Sequence, residues 1–110
     1  MSKIIAVTIG DIEGIGIEIL IKIFKSKKNN RFILFTNYKI FKTYLKNRKI
    51  NLKINIANNS LNKLEKLNYN DYFNLYDYDS KSAVQNTYNS IIESYKLTKL
   101  KYFVGVLTLP

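Results

Sequence analysis

The sequence predicts an α/β fold with a mainly parallel sheet and flanking helices. Apolar strand patterns alternate with amphipathic helical patterns along the chain, and this order builds parallel sheets through crossover helices. The first strand pattern, Ile4 to Ile9, is almost continuously apolar, as in strands that are buried on both faces. Apolar residues make up 46% of the 110 positions, which is enough for the core of one small domain.

Helical and strand spacings locate the elements in the first half of the chain. Apolar residues recur at helical spacing from Ile17 onward, and Lys residues occupy the last turn of that pattern, where cations favour a helix C-terminus. We predict a strand over Ile4–Ile9, a helix over Ile17–Lys25, a strand over Phe32–Thr36, a helix over Tyr38–Asn47 and a strand over Leu52–Ala57.

The second half of the chain has weaker patterns. We predict a short helix around Leu61–Leu67, a strand or hairpin arm over Tyr72–Tyr78, a helix over Ser82–Thr98 and a strand over Tyr102–Leu107. The candidates for the N-cap of the longer helix are Asp79, Ser80 and Ser82. We interpret the neighbouring tyrosines as packing side chains rather than a stacking platform; they are Tyr69, Tyr72, Tyr76 and Tyr78.

The composition excludes several kinds of chemistry. The chain contains no His, Cys or Trp, so its own residues form no disulfide, thiol nucleophile, Cys/His zinc site or Ser-His-Asp triad. Met1 leads straight into the first strand pattern without an apolar leader. The longest apolar run is far shorter than a membrane span. We therefore expect a cytoplasmic protein without a membrane partner.

The charge is strongly basic and unevenly distributed. The chain has 18 Lys and Arg against 8 Asp and Glu, a net charge of +10, and Ile19 to Leu64 holds 12 of the basic residues and no acidic one. These charges are spaced through helical and strand patterns, as on a solvated face, so we do not expect a nucleic-acid partner. The alternative that stays open is a non-enzymatic basic α/β module that binds an anionic partner such as RNA.

A glycine-rich segment between the first strand and the first helix is the most informative motif. Residues Thr8–Glu18 contain Gly10, Gly14 and Gly16, and glycine lets a backbone turn sharply and approach a ligand closely. The amides of a helix that opens near Gly16 would face an anion. A turn of this kind also occurs in α/β folds without a ligand, and the G-x-G-x-x-G spacing of the dinucleotide fingerprint is absent.

The same segment carries a family resemblance. Its run Thr-x-Gly-Asp-x-x-Gly-Ile-Gly-x-Glu resembles the signature of the 4-hydroxythreonine-4-phosphate dehydrogenase (PdxA) family, whose distant relatives are the isocitrate and isopropylmalate dehydrogenases. The two residues between Asp11 and Gly14 favour the hydroxythreonine-phosphate type over those relatives. The end of the chain, Tyr102–Pro110, is similar to a later strand of the family that runs into a Thr-Gly-Pro or Thr-Ala-Pro turn.

The resemblance implies a fold, an activity and a set of site residues. The fold would be isocitrate/isopropylmalate dehydrogenase-like but incomplete, with residues 1–110 as the N-terminal part of the first α/β domain of a two-domain dehydrogenase whose remainder is absent. The family is homodimeric and serves pyridoxine and pyridoxal phosphate biosynthesis. It oxidises its phosphorylated small-molecule substrate, 4-phosphooxy-threonine, with NAD and a divalent metal, and the product decarboxylates. The residues that match the family's cofactor-side loop are Asp11, Gly14, Ile15 and Gly16, and those that match its substrate-cleft edge are Thr108 and Pro110.

The sequence also departs from the family pattern. The family usually has Pro where Ile12 and Ile17 stand, Ala where Glu13 stands, and a small residue where Leu109 stands. The family's metal-binding histidines follow the Thr-x-Pro turn, and this chain has no His. We therefore assign no catalytic residue and no metal ligand. We expect the chain alone to be inactive and to bind neither NAD nor a metal tightly.

Overall fold

The computed structural model describes residues 4–10, 14–26, 31–58, 64, 66–78 and 103–109, with the side chains of the last segment described from Leu107 onward. The strands are β1 (Ile4–Ile9), β2 (Phe32–Phe35), β3 (Ile54–Ile56), β4 (Phe73–Tyr76) and β5 (Phe103–Leu109), and the helices of this part are α1 (Ile15–Lys25) and α2 (Tyr38–Asn47). All four strand pairings are parallel, in the order β3-β4-β2-β1-β5. The prediction of an α/β fold with a parallel sheet is confirmed.

Helices α1 and α2 cover the same face of the sheet. Their buried side chains pack on alternate residues of the central strands, as the two-residue period of a strand requires. Phe73 of β4 lies at the centre, with its ring 5.4 Å from Phe24, 5.4 Å from Phe32 and 5.3 Å from Phe41. The aromatic rings thus connect both helices to the middle of the sheet.

The opposite face of the sheet carries a second group of buried residues. Ile33 and Phe35 of β2 pack there with Ala57, Leu64 and Tyr69. The Tyr69 hydroxyl donates to the Leu64 carbonyl at 2.6 Å, so this buried tyrosine has its polar end satisfied. The interpretation of Tyr69 as a packing residue is confirmed, whereas Tyr72 is exposed.

Several predicted boundaries are corrected by the structure. Helix α1 begins at Ile15 rather than Ile17, β3 and β4 are shorter than predicted, and β5 extends to Leu109. Strand β1 and helix α2 have the predicted bounds. The predicted helix over 82–98, its N-cap candidates and most of the segment 61–67 lie outside the described residues. No helix in the described ranges is long and apolar enough to cross a lipid bilayer.

Candidate functional site

The strand order identifies one candidate position for ligand binding at the carboxyl edge of the sheet. Along the chain, β2 and β4 are added on one side of β1, whereas β5 lies on its other side. The direction of strand addition therefore reverses between β1 and β5. In open α/β sheets, ligands bind beyond the carboxyl ends of the strands at such a reversal. Both segments that resemble the dehydrogenase family meet at this position, because one follows β1 and the other forms β5.

Strands β1 and β5 are joined up to their carboxyl ends. Thr8 is the register partner of Thr108, and the Thr8 hydroxyl lies 2.9 Å from the Thr108 hydroxyl oxygen. Thr8 is fully buried, whereas Thr108 is exposed. Further along the same two strands, the Gly10 amide donates to the Leu109 carbonyl at 2.8 Å. The buried Thr8 side chain thus holds the exposed Thr108 side chain at the carboxyl edge of the sheet.

Helix α1 starts directly beyond this edge. Its N-cap is Gly14, with φ −81° and ψ 177° and no side-chain cap hydrogen bond. The first amides of a helix lack partners within the helix and carry a partial positive charge. The earlier start at Ile15 was not predicted because the Ile15 side chain is exposed, so the apolar period begins only at Ile17. Gly16 is buried in the first turn.

The described glycines do not adopt left-handed backbone conformations. No glycine within the described ranges has a positive φ, and the dihedrals of Gly14 are open to most residues. The described conformations of Gly10, Gly14 and Gly16 therefore do not require glycine for a positive φ, and the close approach of a ligand to this segment stays a prediction. Gly14 has no side chain, so its backbone is accessible to a ligand.

The described members of the predicted site lie on two elements. Gly14, Ile15 and Gly16 form the start of α1, and Thr108 lies on the neighbouring strand at the same carboxyl edge. The Ile15 side chain points to solvent, with 61% of its surface exposed, so only its backbone can take part in the loop. Asp11 and Pro110 lie outside the described residues.

A second polar cluster at the carboxyl edge was not predicted. The Asn37 side chain accepts from the Ile40 amide at 3.1 Å, which caps α2, and its Nδ2 donates to the Tyr78 carbonyl at 2.6 Å. The Tyr78 hydroxyl in turn donates to the Phe35 carbonyl at 3.2 Å. The position of Asn37 directly before a predicted helix was the signal that could have identified the cap.

Asp77 completes this cluster at the end of β4. Its Oδ1 accepts from the Tyr38 amide at 2.7 Å, in the first turn of α2, where a carboxylate is favourable. Asn58 binds the Asp77 backbone twice, since its Oδ1 accepts from the amide at 2.8 Å and its Nδ2 donates to the carbonyl at 2.7 Å. These bonds tie the ends of β2, β3 and β4 together. We assign the cluster a structural role.

The outer face of α2 is cationic. Lys39, Lys42 and Lys46 are exposed at helical spacings of three and four residues, and the helix contains no acidic residue. Across the described part of the chain, the one ion pair is Lys22 with Glu18, at 3.9 Å on α1. The α2 lysines therefore form no ion pair with the described carboxylates.

The described residues do not form a metal site. The chain has no His, and among the described residues no group of three Asp, Glu, His or Cys side chains could hold a metal ion. The family's three-histidine metal centre therefore does not fit the side chains of this chain. No metal-dependent step is assigned to them.

The comparisons with known proteins find no relative. No protein-family model, curated protein sequence or solved structure matches this chain.

Proposed function

We propose that the chain forms one wall of the cofactor cleft of an NAD-dependent dehydrogenase of the 4-hydroxythreonine-4-phosphate dehydrogenase type. The resemblance of Thr8–Glu18 and of Tyr102–Pro110 to that family supports this proposal. The observation that carries it is the convergence of both segments at the carboxyl edge of β1 and β5, where the strand order reverses. An isocitrate/isopropylmalate dehydrogenase-like first domain is part of the same proposal.

The proposed roles follow from the chemistry of each residue. The accessible backbone of Gly14 and the first amides of α1 would bind an anionic oxygen of the dinucleotide. The exposed Thr108 hydroxyl, held by Thr8, would border the substrate side of the cleft. The same proposal places Asp11 in the cofactor loop and Pro110 at the cleft edge. NAD, when bound, supplies the hydride acceptor.

Weak NAD binding to the chain is the first test. We expect NAD at millimolar concentration to shift the backbone amide resonances of Gly10, Gly14, Ile15, Gly16 and Thr108 in fast exchange. Shifts confined to the α2 lysines, or no shifts at the carboxyl edge, would contradict the proposed site. Inorganic sulfate is the control for a purely ionic response, because it lacks the nucleoside part of NAD.

Gly14→Ser separates binding from folding. Serine is a good N-cap residue and fits the dihedrals of Gly14, so the unfolding free energy should stay within about 0.5 kcal/mol of the wild-type value. The added side chain should nevertheless weaken the NAD-dependent shifts, because it fills the space beside the backbone. Unchanged shifts in a folded Gly14→Ser protein would show that no ligand approaches this backbone closely.

Dehydrogenase activity is tested on the chain alone and on a family enzyme that carries residues 1–110. We expect no NADH formation from 4-phosphooxy-threonine by the chain alone, with or without Mn²⁺, since the chain lacks the histidine ligands. A family enzyme whose matching N-terminal segment is replaced by residues 1–110 should form NADH, and Gly14→Ser should lower its kcat/KM. A folded but inactive replacement enzyme, or turnover by the chain alone, would contradict this proposal.

The cationic face of α2 favours a second candidate function, the binding of an anionic polymer such as RNA. Lys39, Lys42 and Lys46 lie on one exposed side of the helix and could each contact a phosphate. A salt-dependent gel shift with single-stranded RNA, lost in the triple Lys→Gln variant, would support it. The matched control is Lys22→Gln with Lys25→Gln on α1. Absence of any shift at low salt would exclude this candidate.

A further inference from the structure

A cavity that the proposed function does not use lies at the amino edge of the sheet. This Arg31 cavity has a volume of about 300 Å³ and is lined by Arg31, Leu67, Asn68, Tyr69 and Asn70. Arg31 directly precedes β2, and the other four residues precede β4. Because these strands are parallel to each other and to β1, the cavity lies at the opposite edge from the proposed NAD site. Small-molecule sites have volumes of about 300–1,000 Å³.

The guanidinium of Arg31 lies over an aromatic ring. Its central carbon is 5.8 Å from the centre of the Tyr69 ring, which is within cation–π distance. The ring is fixed, because Tyr69 is buried and its hydroxyl donates to the Leu64 carbonyl at 2.6 Å. A guanidinium carries five N–H donors in a rigid fork, and the contact with the ring leaves most of them for an oxygen ligand.

Two side chains of the cavity have unused hydrogen-bonding capacity. Arg31 forms no ion pair with any described carboxylate. The Asn70 side chain is exposed and forms no hydrogen bond with the residues that the structure describes. Asp71, the acidic residue next to the cavity in the chain, is bound by Asn68, whose Nδ2 donates to Asp71 Oδ2 at 3.0 Å. A charged fork and a neutral amide are therefore available to a ligand.

The loop that supplies the remaining wall is held in place by a second side chain contact. Asn68 Oδ1 accepts from the backbone amides of Asn70 at 3.1 Å and Asp71 at 3.0 Å. The Asn68 carbonyl accepts from Nδ2 of Asn74 at 3.1 Å, and Asn74 is buried on β4. A ligand therefore meets a wall that is already ordered, which lowers the entropic cost of binding.

We propose that the Arg31 cavity binds a small monocarboxylate that carries an apolar group, such as an aryl or branched aliphatic acid. The fork of Arg31 pairs with both oxygens of the ligand carboxylate, and the Asn70 amide donates to one of them. Leu67 and the Tyr69 ring contact the apolar group. The proposal does not rest on NAD binding, because the two sites lie at opposite edges of the sheet.

The charges and amides of the cavity favour a carboxylate over a phosphate. Arg31 is the one cation among the lining residues, and its single charge balances a monoanion. The Asp71 carboxylate, which Asn68 binds, repels the second charge of a phosphate dianion. The backbone amides of Asn70 and Asp71, which are donors of the kind that phosphate needs, already donate to Asn68 Oδ1.

Titration of the full chain with phenylacetate, followed by nuclear magnetic resonance, tests the proposal. We expect shifts of the Arg31 Nε–H, the Asn70 side-chain amide and the Leu67 methyl groups, with a dissociation constant on the order of a millimolar. Phenylacetamide has nearly the same shape without the charge, so it should bind about tenfold more weakly or worse. The resonances of Gly14 and Thr108 should not respond to phenylacetate.

Two substitutions and a matched control locate the site. Arg31→Gln should raise the dissociation constant of phenylacetate by about tenfold or more. Asn70→Asp keeps the size of the side chain but pairs Arg31 with a carboxylate of the chain, so it should weaken binding by a similar factor. The control is Arg48→Gln, because Arg48 is also exposed and lies 4.1 Å from the centre of the Tyr44 ring, away from the cavity. This control should bind phenylacetate as the wild-type protein does.

Each other outcome overturns the proposal. Absence of shifts at Arg31 and Asn70 shows that the cavity does not bind the acid. Equal binding of phenylacetamide shows that the charge of Arg31 is not recognised, and tighter binding of inorganic phosphate than of phenylacetate shows that the ligand class is wrong. Equal weakening in Arg31→Gln and Arg48→Gln shows non-specific ionic association.

Discussion

The hydroxyls of Thr8 and Thr108 lie 2.9 Å apart across the two strands where the strand order reverses, although the residues are 100 positions apart in the chain. The two ends of this bond differ in environment, because Thr8 is fully buried whereas Thr108 is exposed to solvent. The buried hydroxyl depends on the exposed one for its partner. The bond therefore links β1 to the exposed carboxyl end of β5.

This asymmetry predicts unequal effects of two similar substitutions. Thr108→Val leaves the buried Thr8 hydroxyl without its partner and should lower the unfolding free energy by about 1–3 kcal/mol. Thr8→Val leaves the exposed Thr108 hydroxyl to water and should cost about 1 kcal/mol or less. Urea unfolding would measure both losses, provided that the variants have the same m value as the wild-type protein. Equal losses of unfolding free energy in the two variants would contradict the finding that Thr8 is the buried member of the pair.

Asn37 has two separable contacts. Asn37→Ala removes both the cap of α2 and the bond to the Tyr78 carbonyl, and we expect a loss of about 2 kcal/mol. Asn37→Ser keeps a cap oxygen but loses the bond to Tyr78, so it should cost about half as much. Thermal unfolding monitored by circular dichroism would compare them. If serine is as harmful as alanine, the cap contributes little to stability.

Phe73 is central to the aromatic packing of the sheet. Phe73→Leu removes edge and stacking contacts with Phe24, Phe32 and Phe41 and should lower the unfolding free energy by about 2 kcal/mol. Tyr72→Leu is the control, because Tyr72 is adjacent and exposed and its replacement should change stability by less than about 0.5 kcal/mol. Chemical denaturation of both variants decides whether the rings form the centre of the core.

Gly16 is expected to be needed for packing rather than for backbone conformation. Gly16 is buried in the first turn of α1 and has no positive φ. Gly16→Val should destabilise the protein by about 1–3 kcal/mol because the added carbons overfill the site. Ile15→Val, at the exposed neighbouring position, should be nearly neutral. A stable Gly16→Val protein would indicate free space beside α1.

The agreement between sequence and structure differs from element to element for physical reasons. Helix α2 has the predicted bounds because its apolar side packs at helical spacing and Asn37 caps its start. Helix α1 begins two residues earlier than predicted because an exposed isoleucine precedes its buried row. Strand β3 is shorter than its alternating pattern, since among the described strands it lies at the sheet edge and has β4 as its one partner.

The sequence by itself determined the α/β class and the parallel sheet, because apolar period and element order are local properties of the chain. It also located the glycine-rich segment between β1 and α1. Only the tertiary structure decided that Thr8 bonds Thr108 and that Asn58 and Asn37 bind the end of β4. Those relationships depend on which strands become neighbours, and contacts between residues distant in the chain are not encoded in local spacing.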